Sequence, residues 1–294
     1  MGRRTNLAPY LFLLPAVVLM LVFVYIPVIE SFRFSLFKWN SFSPEWTWVG
    51  LGNYRKLLPD PIFWQSIGNN IWYAIISVAI QVFLALMLAA LLESHAVGRR
   101  LSTFFRTSLF LPAVLAITIV GVTWQMLYRP DTGLINQVLH VVGLDSWTRA
   151  WLGEERTAIF SVIAVSQWQS LGYLMVLLIV AIRAVPRELY EAARIDGAGI
   201  WRQFRDVTVP GVRETTLVLV IITVVGAFKV FDVVWVMTAG GPNHASEVLG
   251  TFLYRTAFRD DEMGYASAIA TMLFFITFAL AAVQLWAGRS GKDA

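Results

Sequence analysis

Residues 186–210 read PRELYEAARIDGAGIWRQFRDVTVP, the one long, strongly charged stretch in a largely apolar chain. Pro186 suits the first turn of a helix, because the amide hydrogen that proline lacks would be unpaired there. Glu188 and Glu191 follow in the first turns, where the positive end of the helix dipole stabilises a carboxylate. Gly197 is a natural helix terminator. The stretch therefore predicts a short helix that ends near Gly197.

A second amphipathic piece completes this stretch. Ile200, Trp201 and Phe204 share one side of a helix, while arginines and an aspartate occupy the other side. Pro210 closes the piece. We predict a helix–turn–helix between two membrane spans, with charged and aromatic side chains available to a partner protein.

The composition of the chain is that of a membrane protein. Of its 294 residues, 57% are hydrophobic and 14% are charged, whereas soluble domains average about 25% charged residues. The absence of cysteine excludes disulfides, thiolate metal sites and cysteine nucleophiles. The sequence contains no catalytic motif and no basic face with interleaved aromatic residues. We therefore expect no catalytic residue, no metal, no cofactor and no nucleic-acid partner for this chain.

Six apolar runs predict an all-α membrane protein with six transmembrane helices. Each run has about 20 residues, the length that crosses a bilayer. The first run is longer than the apolar core of a secretory signal peptide, so we expect a retained span. The predicted helices lie at about 9–30, 70–92, 104–127, 158–182, 215–236 and 265–287.

The distribution of positive charge predicts the orientation. Cytoplasmic loops carry an excess of Lys and Arg, and more than half of the 23 such residues fall on one side here. That side holds the terminal segments 1–8 and 288–294 and the charged stretch 186–210. The loop 31–69 faces outward, and residues 70–287 form a five-helix core in the inner (cytoplasmic) membrane. The cytoplasmic basic residues are Arg3, Arg4, Arg99, Arg100, Arg106, Arg183, Arg187, Arg194, Arg202, Arg205, Arg213, Arg289 and Lys292.

The charged stretch resembles a motif of a known family. Its spacing follows EAA-x3-G-x9-I-x-LP, the EAA loop of permease subunits from binding-protein-dependent ABC importers, with valines in place of the Ile and the Leu. Residues 49–70 and 231–268 are also similar to segments of the sugar-type permeases. The alternative is an amphipathic helix on the inner leaflet, which has no need of the fixed Gly and Pro positions. The matching residues are Glu191, Ala192, Ala193, Gly197, Val207, Val209 and Pro210.

This resemblance implies a fold, a function and a set of partners. It suggests the type I ABC importer fold, in which two homologous permeases, usually a heterodimer, form the pore. Two ATPase subunits bind ATP and Mg²⁺ in the cytoplasm, and an extracytoplasmic binding protein delivers a sugar or oligosaccharide. The alternative cargo is glycerol-3-phosphate or a glycerophosphodiester. A membrane-embedded enzyme and a secondary transporter are the alternatives from other classes.

The resemblance also implies that the EAA loop acts as a rigid lever docked on an ATPase subunit. Glu191 would pair with a basic residue of the ATPase, and Gly197 would let the two backbones approach closely. Ile200, Trp201 and Phe204 would fill an apolar groove on the ATPase.

Residues of the predicted fifth span are candidates for the substrate path. Lys229 and Asp232 would lie on neighbouring faces of one helix, and charged groups at membrane depth usually face a cavity or a partner. Phe228, Asp232 and Trp235 would share a face that suits a sugar. The alternatives are an ion pair that fixes helix packing and, for polar residues of other spans, interhelical hydrogen bonds. The remaining path candidates are Gln125, Gln167 and Trp168.

The loop after the fifth span is the candidate contact for the binding protein. Gly240, Gly241 and Pro242 predict a tight turn, and Asn243 follows it. The predicted orientation places this turn outside the cell. A simple connecting turn is the alternative.

Overall fold

The computed structural model describes residues 8–42, 45–94 and 96–290. Over these ranges the chain is helical apart from turns and the strands β1 (Phe37–Lys38) and β2 (Thr47–Trp48), which pair antiparallel. The predicted all-α fold is confirmed. The predicted N-terminal segment, except Ala8, and the last four residues of the predicted tail lie outside the described residues.

Among the described residues, four helices have the length and composition to cross a membrane. The first extends to Phe34, beyond its predicted end at residue 30. The second begins at Pro61, before the apolar run that predicts it, because Asn69 and Asn70 continue the helix in buried positions. Their side-chain amides donate to backbone carbonyls at 2.7 to 2.9 Å, which removes the cost of burying them. The four helices are Leu11–Phe34, Pro61–Glu93, Ala158–Ala184 and Met263–Gly288.

The third predicted span is bent. Arg99–Val114 meets Ile117–Leu127 at an angle of 100°, so the span predicted over 104–127 is not one continuous helix. The α-helix gives way near Pro112, which has no amide to donate to the preceding turn, and the backbone is extended at Leu115.

The prediction of one helix over 215–236 is also wrong. A helix covers Arg213–Phe228, the backbone leaves helical geometry at Phe231 (φ −141°, ψ −60°), and a separate helix covers Asp232–Met237. The helical segment Ile200–Gly211 meets Arg213–Phe228 at 73°. Within the described residues the chain thus has four candidate spans, or six if each bent pair counts as one span.

We number the helices in chain order. Short π-helical turns (Leu21–Tyr25, Val78–Leu84 and Phe204–Thr208) and 3₁₀ turns (Leu111–Val114 and Asp145–Trp147) join some of them. The helices are α1 (Ala8–Met20), α2 (Ile26–Phe34), α3 (Gly52–Leu57), α4 (Pro61–Ser77), α5 (Ala85–Glu93), α6 (Arg99–Phe110), α7 (Ile117–Leu127), α8 (Leu134–Val141), α9 (Ala158–Ala184), α10 (Arg187–Ile195), α11 (Ile200–Gln203), α12 (Val209–Gly211), α13 (Arg213–Phe228), α14 (Asp232–Met237), α15 (Leu249–Phe258) and α16 (Met263–Ser290).

The chain divides into two compact units, of which one comprises Met1–Asp60 and Leu253–Phe275. In this unit the predicted outer loop is a packed structure built around Asn53. The Asn53 amide donates to the carbonyl of Ser35 at 2.7 Å and to that of Phe37 at 2.9 Å. These bonds fix the chain reversal after α2.

The other unit comprises Pro61–Phe252 and Ile276–Ala294. Its apolar core joins α5 to α9 and includes Ala85, Ala89, Met175 and Leu178. Small residues let the helices approach closely. At Gly172 of α9, an added Cβ would lie 1.9 Å from the carbonyl oxygen of Leu109 in α6. This unit carries the whole of the charged stretch.

Candidate functional site

The charged stretch contains a helix with a fixed end. Helix α10 terminates in a Schellman motif, in which the Ala198 amide donates to the Ala193 carbonyl at 2.8 Å and the Gly197 amide to the Arg194 carbonyl at 3.0 Å. Gly197 has φ +76°, a conformation that favours glycine. The motif requires the left-handed residue four positions after the helix residue whose carbonyl accepts the bond from the Ala198 amide, which is Ala193. The spacing from Ala193 to Gly197 meets that requirement.

One hydrogen bond ties α10 to the segment that follows it, and a second ties α11 to the turn between them. The Tyr190 hydroxyl lies 3.0 Å from the Thr208 hydroxyl, and Gln203 Nε2 donates to the Ala198 carbonyl at 2.7 Å. Thr208 is buried and Tyr190 is half-buried. The two halves of the stretch are therefore held as one body.

The outer surface of this body is both apolar and charged. Ile195 is 86% exposed and Trp201 is 65% exposed. Trp201 stacks on half-buried Phe204, with ring centroids 5.3 Å apart. Exposed large apolar side chains clustered beside charges mark an interaction surface. The predicted coupling residues that are exposed are Glu191, Ala192, Gly197, Ile200, Trp201 and Pro210, while Ala193 and Phe204 are half-buried.

The charges on this surface are locally paired. Glu191 lies 3.3 Å from Arg187 one helical turn away, and Arg205 Nε donates to Asp206 Oδ1 at 2.7 Å. The hydrogen bond from Arg205 lowers the pKa of Asp206 below its ordinary value. Asp206 is therefore ionised at neutral pH.

Ion pairs of Glu93 hold together α5, α6 and α9, and α9 leads directly into the charged stretch. Glu93 at the end of α5 pairs with Arg106 of α6 and with Arg183 of α9, whose Nε lies 3.1 Å from Glu93 Oε1. A cavity of about 940 Å³ lies between the ends of α5 and α9 and the stretch, and Trp201 and Phe204 line it. The charged stretch therefore forms one wall of this cavity, and the ends of α5 and α9 form the other walls.

A smaller cavity of about 310 Å³ lies between α4, its following π turn, α9 and α13. Its polar lining is made of hydroxyl and amide groups on three separate helices. None of the described residues that line it is charged. Such a lining suits a ligand that offers neutral hydroxyl groups. The polar lining residues are Tyr73, Ser77, Gln81, Ser166, Ser170, Tyr173 and Thr223.

The structure does not form the predicted aromatic and charged face of the fifth span. Because α13 ends at Phe228 and α14 starts at Asp232, Phe228, Asp232 and Trp235 are not on one helix. Lys229 and Asp232 are both exposed, and in the part of the chain that is described they form no ion pair. Phe228 is buried, and Trp235 stacks on Phe231 at 5.7 Å. A role for these residues in the substrate path stays a prediction.

The three glutamines near the spans hold helices together. Gln81 Nε2 donates to Gln167 Oε1 at 2.8 Å, and Gln167 Nε2 donates to the Ser77 hydroxyl at 3.1 Å. Gln125 Nε2 donates to two carbonyls at the end of α14, at 2.8 and 3.0 Å. Trp168 is exposed and packs edge to face on Trp124. Gln81 also lines the smaller cavity.

The loop after α14 is a folded turn. Gly240 has φ +86°, and Ser246 Oγ donates to the Gly241 carbonyl at 2.6 Å. Asn243 is exposed, and its Nδ2 donates to Glu155 Oε1 at 2.7 Å. The predicted binding-protein contacts Gly240, Gly241, Pro242 and Asn243 thus belong to one ordered turn.

Comparison with known proteins identifies the family. Residues 81–290 match the family described as the inner membrane component of binding-protein-dependent transport systems. The chain belongs to this family. The permease is a multi-pass inner membrane protein, as the apolar runs predict.

Relatives and a solved structure agree with this assignment. The permease is 53% identical to the probable ABC transporter permease protein YurN of Bacillus subtilis strain 168, over all of both chains. It is 31% identical to the trehalose/maltose transport system permease protein MalF of Thermococcus litoralis, over 97% of this chain and 94% of the relative. A bacterial ABC transporter involved in the import of the acidic polysaccharide alginate shares the fold, with a TM-score of 0.84, 22% identity and coverage of 96% and 95%.

Sequence reasoning missed most of the lining of the smaller cavity. A signal was present, because polar residues recur at helical spacing within apolar runs. Tyr73, Ser77 and Gln81 follow each other at intervals of four, and Ser166, Ser170 and Tyr173 at four and three, which places each set on one helix face. The permease turns both faces towards the same cavity.

Proposed function

We propose that this permease is a transmembrane subunit of an ATP-driven importer that moves a sugar or oligosaccharide. The observation that carries the proposal is the charged stretch 186–210. It is a capped, internally bonded body with exposed apolar and charged side chains at the end of α9. A partner that grips this body can transmit force directly to α9 and α13.

The proposed topology has six spans, with both termini in the cytoplasm. The four long helices supply four spans, the bent pair Arg99–Val114 and Ile117–Leu127 supplies the third, and α13, which follows the charged stretch, supplies the fifth. The excess of Lys and Arg on the side of residues 186–210 supports this orientation. The loop 240–243 then faces the binding protein.

The proposed assembly pairs this permease with a second homologous permease, two ATPase subunits and an extracytoplasmic binding protein. In this assembly the ATPase subunits bind ATP and Mg²⁺ and carry out the hydrolysis. Glu191, Ile200 and Trp201 contact the ATPase because they are exposed on one capped body. Closure of the ATPase pair moves this body and, through α9 and α13, the spans around the smaller cavity.

The lining of the smaller cavity supports a neutral cargo. Seven hydroxyl and amide side chains surround it, and no described lining residue is charged. The relative from Thermococcus litoralis is named as a trehalose/maltose permease, which agrees with a neutral sugar. An acidic cargo such as alginate would be favoured by cationic groups in the path.

Glycerol-3-phosphate is retained as the second candidate on the basis of Lys229. The sequence suggested that Asp232 neutralises this cation, which would disfavour a phosphate. That pairing is absent, and Lys229 is exposed. A phosphate that passes the junction between α13 and α14 would therefore meet an available cation.

The proposal is tested by purifying the permease with the subunits it retains and reconstituting the complex in vesicles. ATP hydrolysis is then measured with the binding protein and either neutral oligosaccharides or glycerol-3-phosphate. We expect stimulation by a neutral oligosaccharide. Stimulation by glycerol-3-phosphate alone would overturn the cargo assignment, and a complex without an ATPase would overturn the importer assignment.

A further inference from the structure

The side chain of Glu247 is fully buried behind the turn 240–243 that follows α14. Glu247 has no exposed surface, although burying a carboxylate is costly unless hydrogen bonds compensate. Its Oε2 lies 2.8 Å from His244 Nδ1. The carboxyl group is therefore placed where it can hold the turn 240–246.

The carboxylate packs directly against the backbone of Gly240. A Cβ added at Gly240 would lie 2.7 Å from Glu247 Cδ and from both carboxylate oxygens, closer than carbon and oxygen atoms approach without displacement. Gly240 also has φ +86°, which glycine adopts without strain. Glu247 thus occupies the space that any side chain at residue 240 would need.

Hydrogen bonds fasten the rest of the turn to its base. Ser246 Oγ donates to the Gly241 carbonyl at 2.6 Å, and the Ser246 amide donates to the Gly240 carbonyl at 3.2 Å. Asn69 of α4 donates to the carbonyls of Ala245 and Glu247 at 2.9 and 2.7 Å. Bonds within the turn and from α4 therefore hold its backbone, while the side chain of Asn243 is exposed.

We propose that Glu247 is a positioning residue for docking of the binding protein. Its carboxylate and His244 hold the Gly240 turn in the one conformation that presents residues 240–243 to the partner. This inference rests on the proposed function, in which these residues contact the binding protein. A preformed loop binds more tightly than a loop that must be ordered on contact.

The test uses the purified complex of permeases and ATPases in vesicles, with ATP hydrolysis measured against binding-protein concentration. The variants are Glu247→Ala, Glu247→Gln and Gly240→Ala. Gly143→Ala is the matched control, because Gly143 has φ +76° but no atom within 4 Å of an added Cβ. It carries the same backbone strain without the collision.

We expect the half-saturating concentration of binding protein to rise about tenfold in Glu247→Ala and Gly240→Ala, because the turn loses its preorganisation. The maximal rate at saturating binding protein should be retained. Glu247→Gln should show a smaller rise, since the amide keeps the volume and one acceptor oxygen. Gly143→Ala should behave as the wild type. Adding Gly240→Ala to Glu247→Ala should have less effect than Gly240→Ala alone, because the collision is gone.

Three results would overturn the proposal. Unchanged half-saturation in both Glu247→Ala and Gly240→Ala would show that the turn needs no such support. Loss of complex assembly in all three variants would make Glu247 a folding residue only. A wild-type complex that the binding protein does not stimulate would instead refute the proposed function, and this inference with it.

Discussion

At the scale of single residues, glycines with positive φ and buried polar side chains fix the two segments that we assign to partner contacts. Gly197 ends α10, and Gly240 makes room for Glu247. The first follows from local sequence, since the Schellman spacing is contained in Ala193 to Ala198. The second depends on a carboxylate that the tertiary structure places behind the turn.

The cap at Gly197 gives a prediction at this scale. Gly197→Ala should cost about 1 kcal/mol, the penalty of a left-handed conformation for an L-residue, and should loosen the end of α10. Substrate-stimulated ATP hydrolysis and uptake in reconstituted vesicles should then fall several-fold. Gly199→Ala is the control, because Gly199 has φ −67° and open space around it. Equal activity of both variants would refute a role for the cap in coupling.

At the scale of elements, polar residues on apolar helices act in two ways. Gln167 on α9 accepts a hydrogen bond from Gln81 and donates one to Ser77, so it ties α9 to the helix of the second span. Ser170 is one turn further along α9 and lines the smaller cavity. One helix face thus serves packing at one turn and a candidate cargo path at the next.

The cavity gives a prediction for this element. Ser170→Leu places a branched apolar side chain in a space of about 310 Å³ and removes a hydroxyl, so cargo uptake should fall about tenfold, as for the loss of one hydrogen-bonded contact and its space. Ala164→Leu adds the same side chain to an exposed position of α9 and should leave uptake near wild type. Uptake by reconstituted vesicles is the measurement. Wild-type uptake by Ser170→Leu would show that the cargo does not pass through the smaller cavity.

At the scale of the whole molecule, the number of spans and their direction decide which surfaces meet which partners. The proposed six-span topology places residues 186–210 and the turn 240–243 on opposite sides of the membrane. The chain contains no cysteine, so a single introduced cysteine reports the accessibility of its position without labelling of any other residue of this chain.

The topology gives a prediction for the whole chain. Val141→Cys, at a position 87% exposed, should react with a membrane-impermeant maleimide in intact cells. Ala96→Cys, exposed between α5 and α6, should react only after the membrane is permeabilised. Reaction of both in intact cells would contradict the six-span topology. The reverse pattern would contradict the orientation.

The sequence alone determined the membrane class, the helical fold and the capped charged stretch. These features depend on composition, on apolar runs and on hydrogen bonds between residues at most a few positions apart. Sequence also pointed to Gln167 as either a path residue or a packing residue, but could not choose between them. Its partner Gln81 is 86 positions away.

Only the tertiary structure decided where helices break and which polar groups face each other. Lys229 and Asp232 stand at the break between α13 and α14, but the apolar residues on both sides of them favour one continuous span, so hydropathy alone did not predict that α13 ends at Phe228. The shared cavity of α4, α9 and α13 and the burial of Glu247 arise from packing between segments far apart in the chain. Their physical cause is the need to satisfy buried polar groups across helices, which no local pattern records.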